Sequence, residues 1–422
     1  MNEISKTKKL FILTGAVFLI LTLVFLAGFF SKKPKKKSLK LVIWGLDSPA
    51  VINQVLAPYQ EKHPYLDCQY QQKNEKTYYQ ELIDSFGTAE TPDIFVIKNT
   101  WLDKFKKRIV PFNLQAKEIK KYFPEVVWTD AVREEKVWGL PSSIDTLVLA
   151  YNLEKFNQKG IALPPKTWQE FIEDANLLKE IDETGKIVKP GASLGSVDNI
   201  ENFFDILSLI MLQKGAQITS LNKESPSLAS QDSALKALNF YLQFAEPKSA
   251  NYTWDKSLKN SLDSFAWLES PMAFIYQKDI KRIKEKNPKL IFEISQVPQF
   301  NLSQPVSYSS YYLWAVSWKK NWPEAQKLVE YLTLGQGAKD YLNLTKKPPA
   351  LRFLIKETIK DPDLKIFSYQ ALIAKSYWQP DPFALEKIFK DMVKSVLSGK
   401  EEPIEALRIA SEKISLLTGK KR

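Results

Sequence analysis

The sequence is poor in the residues on which much catalytic and metal chemistry depends: 422 residues include one His, one Cys and four Met. A single Cys cannot close an internal disulfide, form a CxxC redox pair or build a cysteine-rich zinc site, and a single His rules out His₂ and His₃ metal sites. Nucleophilic catalysis by Ser or Cys with His would have to draw on His63 or Cys68. His63 precedes Pro64, which steers it out of a helix, so it reads as a surface residue at a helix end. Cys68, among alternating residues, reads as a small buried strand residue. There is no Walker loop and no GxGxxG, and Gly335-Gln336-Gly337 is only a GxG in a helical context. No catalytic residue, metal site or cofactor is expected.

What is present is ordinary in bulk: 44% hydrophobic, 12% aromatic and 26% charged residues exclude collagen-like, low-complexity and wholly disordered classes. At roughly 150 residues per domain the length points to two or three domains or one large two-lobed one. The net charge of +12 is unevenly spread. Residues 1–37 carry +7 and the tip at 420–422 another +3, leaving about +2 for everything between. A nucleic-acid-binding face needs its Lys and Arg on the folded part, so no nucleic-acid partner is expected.

Leu10 to Phe30 is an uncharged run of 21 residues, long enough at 1.5 Å per residue to cross a hydrocarbon core of about 30 Å. Its exit, Leu26-Ala27-Gly28-Phe29-Phe30, has Phe where a signal peptide needs a small residue, and Phe29 stands where a lipoprotein would have its lipid-accepting Cys. An uncleaved anchor follows: a cytoplasmic tail at 1–9, a transmembrane segment at 10–30 and a basic tether at 31–37. Three lysines precede the segment and five follow it, a tally that by the positive-inside rule favours a cytoplasmic body.

The fold begins with the strand-length apolar run 39–44, closed by Gly45. Ser48-Pro49 reads as an N-cap followed by proline at the first helical position, with Ile52, Val55, Leu56 and Tyr59 on one face. Tyr79, Leu82, Ile83 and Phe86 mark a second helix, and Ile94 to Ile97 a buried strand. Strand, helix, helix, strand indicates α/β layers with a parallel component. Thr167-Trp168-Gln169-Glu170 is a capping box opening a helix with Phe171, Ile172, Ala175 and Leu178 on its apolar face. Phe203 to Met211 is apolar but too short to span a bilayer. The last hundred residues are mainly helical, with Leu385, Ile388, Phe389, Met392, Val393, Val396 and Leu397 on one face and Gly399 at its C-terminal cap.

Eleven Trp and seventeen Tyr are the chain's one abundance. Aromatic faces suit the C–H faces of a sugar, and neighbouring Asp, Asn and Ser suit its hydroxyls. That pairing occurs at Trp44 near Asp47, at Trp101 beside Asn99 and Thr100, and at Tyr311 beside Ser309 and Ser310. Core packing is the alternative for any one of them.

An ordered set of motifs then carries a resemblance over about residues 39–418: LKLVIWG, YQEKHPYL, TPDIFVI, VWGLPSSIDTLVLAYN, PPKTWQEF, NFFDILSLIMLQKGA, SPMAFIY, SYYLWAVSWKKNWPEAQKLVEYL and VLSGKEEPIEALRIASEKI. The chain resembles the extracellular solute-binding proteins of bacterial ABC transporters, in the sugar-binding group that includes maltose-binding protein. The resemblance implies an α/β, two-lobed periplasmic-binding-protein-like fold (type II) with a ligand cleft and crossing hinge strands, preceded here by one N-terminal transmembrane helix. It places the crossings near 145–151, 309–314 and 354–360, an N-lobe at 38–147 plus 312–355, a C-lobe at 150–308 plus 360–419, and a basic tail at 420–422. As ligand contacts it implies Trp44, Asp47, Asn99, Thr100, Trp101 and Asp145, and on the C-lobe side and crossing Asn202, Tyr276, Ser309, Ser310, Tyr311 and Trp378.

Two departures stand out: Tyr276-Gln277-Lys278 replaces the Gly-Pro or Trp common after SPMAF, and Ser309-Ser310 replaces glycines at the second crossing. The implied function is a non-enzymatic, monomeric receptor that captures a small solute, a sugar or oligosaccharide, and delivers it to ABC permease subunits. Its body is then extracellular or periplasmic and its single membrane pass N-terminal, and the resemblance outweighs the lysine tally. A glycan-processing enzyme with paired carboxylates and a membrane-tethered sensor or adaptor remain the alternatives.

Overall fold

The computed structural model describes residues 38–220, 227–319 and 321–418. The apolar run at 10–30, the tether and the basic tip lie outside the described residues. Among the described residues no helix is long and apolar enough to cross a membrane.

The first lobe is built on β1 (Leu39–Gly45), α1 (Pro49–Lys62), β2 (Leu66–Gln72), α2 (Tyr78–Ser85) and β3 (Ile94–Lys98). Ser48 caps α1 by accepting from the Ala50 N–H, and Ile52, Val55, Leu56 and Tyr59 are its buried face. The chain leaves α1 at His63, which caps its end. In α2 the buried positions are Tyr78, Leu82 and Ser85, one residue round from the face expected at Tyr79. The Tyr78 hydroxyl donates to the Val96 carbonyl at 2.6 Å, drawing that ring inward. Tyr79 is freed for the lobe edge. Cys68 is half-buried rather than buried, because β2 is an edge strand of this sheet; burial still pushes its thiol up to about 11.

Further along come α3 (Glu125–Ala131), β4 (Asp145–Thr146), β5 (Val148–Asn152), α4 (Trp168–Leu178) and α5 (Phe203–Gln213). The Thr167–Glu170 capping box at α4 is fully formed. Gly191 passes so close to α4 that a Cβ there would stand 1.9 Å from the Ala175 carbonyl oxygen, which excludes any side chain. Then follow β6 (Met272–Ile275), α6 (Gln277–Lys286), β7 (Phe292–Ser295), β8 (Ser307–Ser310) and β9 (Tyr312–Val316). The remainder is mainly helical: α7 (Trp322–Leu334), α8 (Gln336–Thr345), α9 (Arg352–Thr358), α10 (Lys365–Leu372), the short β10 (Ala374–Lys375), α11 (Pro382–Leu397) and α12 (Pro403–Leu417). Gly399, in the left-handed region at φ 69°, follows the end of α11.

The sheets explain the lobes. One has the order β9-β3-β1-β2, with β9 antiparallel to β3, so a strand from late in the chain completes the first lobe. The second, β6-β5-β7, belongs to the other lobe. Between them a small sheet, β10-β8-β4, links the lobes at the expected hinge position: Ser309 pairs with Thr146 and Ser310 with Asp145. The third connection is helical, not extended, since α9 occupies Arg352–Thr358.

Two large apolar cores result. One gathers Leu41, Ile43, Phe95, Leu313 and Val329, the other Leu149, Trp168, Leu207, Phe274 and Phe389. Each fully buried side chain of this kind contributes about 1.5–3 kcal/mol, so each lobe has its own stabilising centre. α10 links the first core to a small third cluster under β5, with Ala371 on the one and Phe367 on the other.

Candidate functional site

A cavity of about 200 Å³ lies between the lobes. The first lobe contributes Lys98 at the end of β3 and the single 3₁₀ turn Asn99–Trp101 that follows it. The second contributes the start of α5 (Asn202 to Asp205), and Gln379, Pro382, Phe383 and Glu386 at the start of α11. The hinge strand β8 supplies Tyr308, Ser309 and Ser310 as its back wall. Pro382 in the first turn and an Asp381 cap explain why α11 begins there: the Asp381 carboxylate accepts from the Ala384 N–H at 3.1 Å. Asn202 precedes α5 in the left-handed conformation (φ 59°), one that Asn tolerates better than most residues.

The cavity is chemically unfinished. Ser309, 2% exposed, has a buried hydroxyl, and Asn202 a buried side-chain amide nitrogen, that find no hydrogen-bond partner among the described residues. Leaving such groups unsatisfied costs about 1–3 kcal/mol each, which a ligand with hydroxyls would offset. Charge enters from both lobes. Asp205 accepts a hydrogen bond from the Tyr276 hydroxyl at 2.8 Å. Burial, and then the Asp205 charge, push the Glu386 carboxyl up, while Lys98 works in the opposite direction. Apolar surface comes from Trp101, Phe203, Phe204 and Phe383. Donors, acceptors and aromatic faces thus converge in one small space, the makeup of a polar-ligand pocket.

Of the twelve residues expected at the site, Asn99, Thr100, Trp101, Asn202, Ser309 and Ser310 line this cavity together. The other six stand behind it or elsewhere. Trp44, 4% exposed, is the residue before the end of β1, with the Lys73 ammonium 3.5 Å above its ring. Asp47 is held inside the first lobe by Lys347 at 2.6 Å and the Tyr341 hydroxyl at 2.8 Å. Asp145 accepts from the backbone N–H groups of Gln277 (3.0 Å), Lys278 (3.3 Å) and Thr146 (2.9 Å), tying the hinge to the start of α6. Burial pushes its carboxyl up to about 7 against those three donors. Tyr276 supports Asp205 from behind.

Tyr311 donates to the buried Asp130 at 2.7 Å, where the Asn99 amide (2.9 Å) and the Ser376 hydroxyl also donate. Burial raises the Asp130 carboxyl despite these donors. Asn99 is thereby fixed in place by its own lobe, while Ser376 brings in the return segment. Trp378 donates from its indole nitrogen to Asp103 at 2.8 Å, bridging the lobes. Lys98, Asp205, Phe383 and Glu386 were not singled out from the sequence. The Asp381-Pro382 cap before an amphipathic run was the available signal for the last two.

A larger cavity, about 790 Å³, opens elsewhere on the second lobe between α11, α12 and the loops around 198 and 255. Its ionic groups include the Lys394–Asp198 pair at 2.5 Å, and none of its lining atoms is buried without a partner among the described residues. Among the described residues no group of three or more His, Cys, Asp or Glu could hold a metal ion.

Comparison with known proteins gives a consistent picture. Residues 45–339 match the family model described as bacterial extracellular solute-binding protein. A putative binding protein of Brucella abortus is 22% identical over 364 residues, 81% of this chain and 83% of its own. Among solved structures, an ABC transporter solute-binding protein of Thermotoga lettingae bound with α-D-tagatose superposes with a TM-score of 0.70 at 21% identity, over 90% of this chain and 100% of that one. A cyclo/maltodextrin-binding protein complexed with maltotetraose gives a TM-score of 0.74 at 18% identity, over 91% and 98%.

Proposed function

The chain belongs to the bacterial extracellular solute-binding proteins, and from that premise we propose that it captures a small carbohydrate between its lobes and passes it to the permease of an ABC importer. The observation that carries this reading is the interlobe cavity, where the unpartnered Ser309 hydroxyl and Asn202 amide sit beside Lys98, Asp205, Glu386 and the aromatic faces of Trp101 and Phe383. A polyhydroxyl ring offers both donors and acceptors to that set and lays its C–H face on the aromatics. The sugars bound by the Thermotoga lettingae and cyclo/maltodextrin-binding structures agree with it. The contacts proposed are Asn99, Thr100, Trp101, Asn202, Ser309 and Ser310, joined by Lys98, Asp205 and Glu386.

The N-terminal run at 10–30 is proposed as an uncleaved anchor that keeps the body outside the cytoplasmic membrane. The lobes are proposed to open and close about the β4–β8 hinge. Asp205 and Glu386 are the carboxylate pair that a glycan-cleaving alternative would use, so binding and turnover are measured together. The test is a thermal-shift and calorimetric screen of the full chain in detergent against neutral sugars, polyols and amino acids, with chromatography of each sugar afterwards. A ligand at 100 times its Kd adds about 2.7 kcal/mol of stability. Stabilisation by a carbohydrate recovered intact supports the reading, and none by any carbohydrate removes it. Protease added to intact spheroplasts tests the orientation, a protected body contradicting it.

A further inference from the structure

The inference rests on the reading of the cleft as the solute site. We infer that the solute is a single sugar ring or a polyol of similar size, and that Phe383 is the residue that sets this limit. Size comes first. Pockets for drug-sized ligands run to roughly 300–1,000 Å³, whereas the cleft encloses about 200 Å³. A cavity below that range suits one sugar ring better than a chain of them.

A longer sugar has to run on past the rim of the cavity, and an aromatic side chain stands at that rim, shared with a shallow outer recess along α11. Phe383, at the start of α11, lines the cavity and is also 48% exposed, so its ring stands between the cavity and solvent. Across the lobe boundary it meets Tyr79 edge-on at 4.6 Å between ring centres, and Trp101 at 6.2 Å. Tyr79 packs in turn on Trp101 at 4.9 Å. The rim is braced by the Lys104–Asp381 ion pair and the Trp378–Asp103 hydrogen bond. A separate set of contacts joins the lobes at the start of α6: Lys278 and the Tyr312 hydroxyl both reach Glu75, at 3.2 and 3.1 Å. A second sugar ring extending past Phe383 displaces it from Tyr79 and forfeits the closed arrangement. Aromatic pairs of this geometry are specific contacts beyond mere burial, so closure itself discriminates by ligand length.

The experiment is isothermal titration calorimetry of the full chain in detergent with glucose, galactose, ribose and tagatose, and with maltose through maltotetraose. Phe383→Ala and Phe383→Tyr variants are titrated alongside. The expected result is binding of at least one single-ring sugar, with maltotetraose at least ten-fold weaker. In Phe383→Ala the gap narrows because maltotetraose gains affinity, not because the single-ring sugar loses it, and it persists in Phe383→Tyr, which keeps the ring. Because the side chain is half in solvent, its removal leaves both cores intact. Tight binding of maltotriose or maltotetraose by the unaltered chain overturns the inference and leaves the carbohydrate reading standing. An unchanged gap in Phe383→Ala overturns the role given to that residue. Failure of every sugar at every length removes the carbohydrate reading, and the inference with it.

Discussion

Gln370 is the side chain whose loss should be felt most at the hinge. It lies on α10 with no exposed surface. Its carbonyl oxygen accepts from the Val297 N–H at 3.0 Å, and its amide nitrogen donates to the Leu147 carbonyl at 2.6 Å. Its own backbone carbonyl accepts from the Ser307 hydroxyl at 2.6 Å. One side chain therefore satisfies buried backbone on the segment joining β4 to β5 and on the approach to β8. Gln370→Met keeps length and bulk but leaves a buried N–H and a buried C=O without partners, at about 1–3 kcal/mol each. Allowing for the apolar side chain put in their place, the loss should be about 2–5 kcal/mol.

With an unfolding entropy of roughly 2.1 cal/mol/K per residue, or ~0.9 kcal/mol/K for 422 residues, the melting temperature should fall by about 2–6 °C. Ser307→Ala removes only one neutral hydrogen bond and should cost about 0.5–1.5 kcal/mol. Differential scanning calorimetry of the two variants decides the matter. A drop of under 1 °C for Gln370→Met, or equal drops for both, would refute the reasoning that Gln370 carries two otherwise orphaned groups.

Three further outcomes follow from the geometry. Because burial raises the folded Asp145 carboxyl to about 7, well above the ordinary 3.8 of an aspartate, the folded state holds its proton more tightly than the unfolded state. Its contribution is present below about pH 4 and lost as the pH rises to about 7, so melting curves of Asp145→Asn should show a flatter pH dependence across that window than those of the unaltered chain. Thr167→Ala breaks the capping box of α4 and should cost about 1 kcal/mol in chemical denaturation while ligand affinity stays unchanged, since α4 does not line the cleft. Gly191→Ala drives a methyl into the Ala175 carbonyl and should cost about 1–3 kcal/mol; a neutral result would show that the close approach relaxes freely.

The legible parts of the molecule are those governed by local rules. The Ser48-Pro49 start of α1, the Thr167–Glu170 box and the buried stripe on α11 are each written within a few residues. So is the half of the site that follows β3, because Asn99 to Trp101 directly continue a readable strand. What escaped depends on partners far away in sequence. Asp47 reads as a cleft acid, and its partners Tyr341 on α8 and Lys347 just beyond that helix lie about 300 positions away. Asp145 reads as a ligand contact, and the two backbone N–H groups that the start of α6 brings to it could not be read locally. Tyr78 displaces Tyr79 from the core through a hydrogen bond to another strand. Glu386 and Asp205 were invisible as a pair because 181 positions of sequence separate two helix starts that the fold brings face to face.

The placement of β1 has a mechanical consequence. This strand is interior to its sheet, in register with β2 from Leu39 opposite Leu66 to Gly45 opposite Gln72, and also hydrogen-bonded to β3. The described chain enters the strand at Leu39, and the connection to α1 leaves it at Gly45. Tension transmitted through residue 38 therefore runs along the strand and loads its ladders in shear. The hydrogen bonds share the force instead of opening one after another. Resistance to pulling is set by the unfolding barrier, not by equilibrium stability. A pull applied at residue 38 therefore meets the ladders of β1 with β2 and with β3 together.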